Sequence, residues 1–114
     1  MFKFERLAVW QKAVGLYVGV AAVTDRLPAR EQYSLGDQLR RAALSVSANI
    51  AEGTGREGER ETKHFFNIAK GSVYEVVSLL EAARRRSRVD EGTHTALYSH
   101  SDEIARMLSG LLQK

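Results

Sequence analysis

The chain contains no cysteine, one proline and three histidines. Without cysteine it has no disulfides, no thiolate metal site and no thiol nucleophile. A single proline leaves most of the chain free to form long helices. It also lacks any apolar run long enough to span a bilayer. The longest nearly uncharged stretch, Ala13 to Thr24, falls short of the roughly 20 residues required. Near the start, Lys3, Glu5 and Arg6 are followed by Trp10, Gln11 and Lys12, which is not a signal-peptide pattern. These features read as a cytoplasmic protein with no membrane partner. No strong excess of charge is present either. The net charge is +3 and the isoelectric point about 9.4, a mildly basic balance that permits nucleic-acid contact without demanding it.

What the chain does have is helical periodicity, clearest from Leu39 to Gly53, L-R-R-A-A-L-S-V-S-A-N-I-A-E-G. Leu39, Ala43, Val46 and Ile50 form an apolar stripe, flanked by a polar one of Gln38, Arg41, Ser45, Asn49 and Glu52. Polar groups at the edge of a core are costly unless each finds a partner. The stripe is therefore either solvated or a partly buried hydrogen-bond network that fixes how this helix meets its neighbours.

The remaining periodic segments complete an all-α chain of one domain over residues 1–114, with helices at about 5–26, 34–52, 59–88 and 93–112. The first helix is apolar on two sides, with Trp10, Val14, Tyr17 and Ala21 on one and Val9, Leu16, Val20 and Val23 on the other. A strip of small residues, Gly15, Gly19 and Ala22, lies between them. The side with the large aromatics is expected in the core. That leaves Val9, Leu16, Gly19, Val20 and Val23 as the candidate subunit interface. Leu27-Pro28 ends this helix, Ala29 to Tyr33 is expected to be a connector, and Ser34 is a plausible N-cap for the second helix. Gly53 or Gly55 suits a left-handed cap at that helix's far end. Phe65, Ile68, Ala69, Ser72, Val73, Val76, Leu79, Leu80 and Ala83 are the expected buried face of the third helix. In the fourth, Leu97, Ile104, Leu108 and Leu111 face inward.

Three blocks carry a resemblance: F-E-R-L-A-V-W-Q-K-A near the start, L-R-R-A-A-L-S-V-S-A-N-I-A-E-G in the middle and I-A-K-G-S-V-Y-E later. In this order they resemble the four-helix-bundle proteins encoded in intervening sequences of bacterial 23S ribosomal RNA genes. The resemblance implies an up-down antiparallel bundle and a homopentamer, with no established enzymatic activity. More distantly, the chain is similar to the accessory protein of diversity-generating retroelements, a basic pentamer that works with a reverse transcriptase and nucleic acid. Two positions depart from the family pattern: Ser47 stands where proline is frequent, and Gly58 where serine often begins the third helix.

Antiparallel pairing of the second and third helices about a loop near Arg56 puts Ser45 close to Asn67 and Arg41 within reach of Glu75. The expected polar network is Arg41, Ser45, Asn49, Glu52, Asn67, Ser72 and Glu75, with Asn49 mostly buried. The most basic place on the chain is the end of the third helix, where Arg84, Arg85, Arg86 and Arg88 cluster. These cations either complement the helix dipole and pair locally, as Glu81 can with Arg85, or contact RNA or DNA phosphates.

No catalytic constellation stands out. His94 and His100 fall on different helix faces and no H-x-x-x-H pair occurs, so neither metal nor cofactor is expected. G-T-G-R-E-G at residues 53–58 lacks the spacing and preceding strand of a dinucleotide site. Arg88 and His94 match the Arg-x(4–6)-His spacing of HEPN-like ribonucleases, but Gly92 interrupts them. The leading reading is a non-catalytic, self-assembling bundle whose basic surface holds RNA, DNA or a nucleic-acid enzyme such as a reverse transcriptase. The alternative is a purely structural or protein-interaction module.

Overall fold

The computed structural model describes residues 1–114; 85% of the chain is helical and no strand is present. A short 3-10 turn, Lys3–Arg6, precedes α1, Ala8–Asp25. The second helical run, α2, comprises one turn at Ala29–Glu31, a π segment at Gln32–Gly36 and an α-helix at Asp37–Thr54. Then follow α3, Glu59–Arg85, and α4, Glu91–Leu112. Each helix packs on its sequence neighbour and α1 also packs on α4, giving a square antiparallel bundle of 43 × 22 × 22 Å.

The core is built from small and branched aliphatic side chains. Val9, Ala13, Leu16, Val20 and Val23 enter from α1, and Leu39, Ala43, Val46 and Ile50 from α2. Phe66, Ala69, Val73, Val76 and Leu80 come from α3, and Leu97, Ile104 and Leu108 from α4. Fully burying one such Leu, Ile or Val contributes roughly 1.5–3 kcal/mol.

The orientation of α1 reverses the sequence expectation. Val9, Leu16, Val20 and Val23 lie inside, between 0% and 6% exposed, and are not available as a subunit interface. Trp10, Val14, Tyr17 and Ala21 are only half-buried, and Val18 is 61% exposed. The inward side carries Val, Ala and Leu, which pack with Leu39, Val46, Ile104 and Leu108 in one core. A Cβ built on Gly19 would come within 2.7 Å of Leu97 Cδ2, and one on Gly15 within 3.2 Å of His100 Cε1. Gly15 and Gly19 thus leave room for side chains of α4, while Ala22 is exposed. From α1 the interior takes Ala, Val and Leu, while the larger Trp10 and Tyr17 sit half-buried at its edge.

The N-terminal end of α2 also differs from expectation. Ala29 to Tyr33 is helical and Ser34 does not cap. Gln32 explains this. Its Nε2 donates to the Thr24 and Leu27 carbonyls at 2.7 and 2.9 Å, closing the end of α1. Arg40 in turn donates to the Gln32 carbonyl at 2.8 Å and to its Oε1 at 3.2 Å. The segment is drawn into the helix, and a π turn absorbs the register. At the far end α2 continues to Thr54, and Gly55 takes a right-handed conformation. Gly53 is required by packing instead, because its Cβ would fall 2.8 Å from Phe66 Cε1.

On α3, Ala69, Ser72, Val73, Val76, Leu80 and Ala83 are buried as expected, and the main difference is at the start of the helix. Phe66 is buried, Phe65 half-buried and Ile68 exposed. The helix stops at Arg85, before the expected position 88. Ser87, with φ of 57°, ends it in a left-handed cap: its N–H donates to Arg84 O at 2.9 Å, and Arg88 N–H to Ala83 O at 2.8 Å. Asp90 begins α4 two residues earlier than expected, accepting from Thr93 N–H at 2.7 Å, so Gly92 lies within the helix.

Candidate functional site

The arginine cluster is engaged within the chain. Glu81 takes Arg84 Nη2 at 2.7 Å and Arg85 Nε at 2.9 Å, and Arg84 Nη1 reaches Glu91 at 3.2 Å. Arg88 and Arg86 both turn to Glu31 at the start of α2, Arg86 at 3.6 Å. Glu31 is the member that sequence reasoning missed. It was assigned to a connector, and no periodic signal ties residue 31 to residue 88.

These contacts shift the ionisations. Hydrogen bonds from Arg84 and Arg85 hold the Glu81 carboxyl well below the usual range, at about 2. Bonds to Glu81 and Glu91 push the Arg84 guanidinium further up. The Thr93 backbone N–H lowers Asp90. Arg85 and Arg86 still keep side-chain exposures of 76% and 60%, against 34% for Arg84 and 23% for Arg88. The ribonuclease-like pair is divided between carboxylates: Arg88 is held by Glu31, and His94 Nε2 lies 3.5 Å from Glu81.

Of the expected polar network, the structure brings together three members. Ser45 Oγ and Ser72 Oγ are 2.8 Å apart across the α2–α3 interface. Asn49 Nδ2 donates to Ser45 Oγ at 2.9 Å and to the Ser45 carbonyl at 2.8 Å. Asn49 is half-buried, less enclosed than expected. Glu52 instead pairs with Arg56, and Asn67 is exposed. Arg41 and Glu75 are both exposed and form no ion pair within 4.0 Å. Ser45 meets Ser72 and not Asn67, so the pairing is displaced by roughly one turn.

Apolar side chains outside the core include Tyr74 on α3 and Tyr98 on α4, both exposed, and a group on the outer part of α1. Trp10, Val14, Tyr17 and Val18 point away from the Gly15–Gly19 edge that meets α4. Leu44 on α2 is also exposed, at 47%. The signal for the α1 group was the double-sided pattern of that helix, but periodicity alone could not say which side turns outward. Among the residues described there is no group of three or more His, Cys, Asp or Glu placed to hold a metal, and no helix is long and apolar enough to cross a membrane.

A four-helix bundle with a partly apolar outer face and a self-paired basic end defines the general class of this protein. The chain belongs to the 23S rRNA-intervening sequence protein family, whose match spans residues 5–110. The fold is similar to that of a protein of unknown function from the S23 ribosomal protein family of Bacteroides thetaiotaomicron. The TM-score is 0.87 at 20% identity, covering 94% of this chain and 100% of that one. Among curated proteins, none matches the chain in sequence.

Proposed function

We propose that the chain is a non-catalytic, cytoplasmic assembly protein that associates with copies of itself through the outer face of α1 and α2. The observation that carries this is the α1 stripe of Trp10, Val14, Tyr17 and Val18, left half-buried or exposed after the core is filled, with Leu44 on α2 exposed as well. A contiguous apolar stripe of several turns is the kind of surface that marks an interface. Family membership favours a homopentamer. The test is light scattering on the purified protein, with Val18→Glu and Leu44→Glu as disrupting variants. The expected result is an assembly that both substitutions weaken while helical content is retained. A monomer at micromolar concentration, or an assembly untouched by both, would overturn it.

A second activity, contact with RNA or DNA or with a nucleic-acid enzyme such as a reverse transcriptase, draws support from Arg85 and Arg86, whose side chains stay largely in water. An assembly would repeat them on each subunit, so weak phosphate contacts would add. Binding of this kind falls steeply with salt and shows little sequence preference. A gel-shift series across salt concentrations, repeated with Arg85→Glu and Arg86→Glu, tests it. An unchanged salt slope in the double variant would assign these arginines to helix-end pairing alone.

A further inference from the structure

At the end of the bundle opposite the arginine cluster, the N-terminal turn lies across the last turn of α2 and leaves an open crevice. Phe2, Lys3, Phe4, Ala51, Thr54, Gly55, Arg56 and Glu57 line it, and its volume is about 590 Å³. That falls within the roughly 300–1,000 Å³ of small-ligand clefts. Phe2 is 72% exposed, and its ring stacks on Phe4 with centroids 5.8 Å apart and planes inclined by 22°. Phe4 in turn meets Trp10 edge-on at 4.9 Å.

The exposed ring is held in place. Phe2 N–H donates to Glu5 Oε1 at 2.9 Å, and Gln11 Nε2 donates to the Glu5 carbonyl at 3.0 Å. Glu5 is thereby occupied, while Lys3 and the neighbouring Arg6 have no carboxylate within 4.0 Å. Arg56 lies over the Phe65 ring at 4.7 Å and pairs with Glu52 at 3.3 Å. Glu57 is the single acidic side chain lining the crevice.

An apolar protein segment would suit a dry groove, but this one has a charged rim and a fixed aromatic face at its mouth. We infer that the crevice binds unpaired nucleic acid, with a base stacked on Phe2 and backbone phosphates held by Lys3 and Arg56. Aromatic platforms beside cations recognise single strands in this way, because every base has a π-face and a duplex keeps its bases stacked inside. The inference goes beyond the arginine-cluster reading. It concerns the other end of the molecule and predicts a preference for single strands, which phosphate contact alone does not supply.

The chain has one tryptophan, and its contact with Phe4 makes Trp10 fluorescence a local reporter. The experiment titrates the full chain with an oligothymidylate of about twelve nucleotides, then with the same strand annealed to its complement. Expected are a change in Trp10 emission and tighter binding of the single strand. Phe2→Ala should weaken that binding by about tenfold, Lys3→Glu should weaken it too, and Glu57→Gln should strengthen it. Equal affinity for the two nucleic acids would overturn the inference, as would unchanged binding in Phe2→Ala. A change of oligomeric mass in Phe2→Ala, without loss of single-strand preference, would assign the crevice to a subunit contact instead. Arg85→Glu with Arg86→Glu separates the two readings: loss of duplex and single-strand affinity alike reports on the arginine cluster, and the Phe2 and Glu57 effects report on the crevice.

Discussion

The Ser45–Ser72 hydrogen bond between α2 and α3 makes a quantitative prediction, because its two ends are not equivalent. Ser72 is buried, and its hydroxyl is bonded only to Ser45. Ser45 Oγ also accepts from Asn49. Ser45→Ala therefore leaves a buried hydroxyl without a partner and should cost about 1–3 kcal/mol. Ser72→Ala leaves Ser45 satisfied by Asn49 and removes one ordinary bond, costing about 1 kcal/mol. In the double variant no hydroxyl is stranded, and Asn49 keeps the Ser45 carbonyl at 2.8 Å. Its cost should lie close to that of Ser72→Ala, a coupling on the order of 1 kcal/mol between the two sites. The assay is urea unfolding followed by circular dichroism, at one protein concentration so that any association is held constant. Additive effects, or a larger loss in Ser72→Ala than in Ser45→Ala, would refute the reasoning.

Three further outcomes are expected. Val20 is 0% exposed, so Val20→Glu should lose cooperative unfolding outright, because it buries an unpaired carboxylate, whereas Val18→Glu should retain it; thermal melts of both decide which side of α1 faces inward. Ser87→Gly should raise stability by about 0.5–1 kcal/mol, since the cap holds a serine at φ of 57° that glycine adopts without strain, and an unchanged or lower urea midpoint would contradict this. Because its folded pKa is depressed to about 2 from an ordinary value of 4.5, Glu81 contributes stability that is fully present above about pH 4.5 and lost as the pH falls towards 2. Over that window wild type should lose more stability than Glu81→Gln, and parallel curves for the two would remove the Arg84–Arg85 contribution.

The four-helix architecture was legible in the sequence because helical periodicity is local. Leu39, Ala43, Val46 and Ile50 were expected on one face and all are buried, as are Leu97, Ile104 and Leu108. Pro28 ends α1's turn and the 55–58 segment separates α2 from α3 for reasons carried by a few adjacent residues. Other features depended on partners distant in sequence. Which apolar side of α1 turns inward depends on side chains of the other three helices, with which Val9, Ala13, Leu16, Val20 and Val23 form one core. The helical continuation through Ala29–Gly36 is set by Gln32 reaching back to α1 and Arg40 gripping it. The pairing register of α2 and α3 is set by Gly53 fitting under Phe66 and Ser45 meeting Ser72. The basic cluster shows the same division. Its four arginines and the nearby Glu81 were visible as charges along one helix, but Glu31 is 57 positions from Arg88, and only the folded chain brings it there to pair with Arg86 and Arg88. A repeat in the sequence reports which face of a helix is apolar; the distance between two helices, and so which side chains fit and which charges meet, exists only once both are packed.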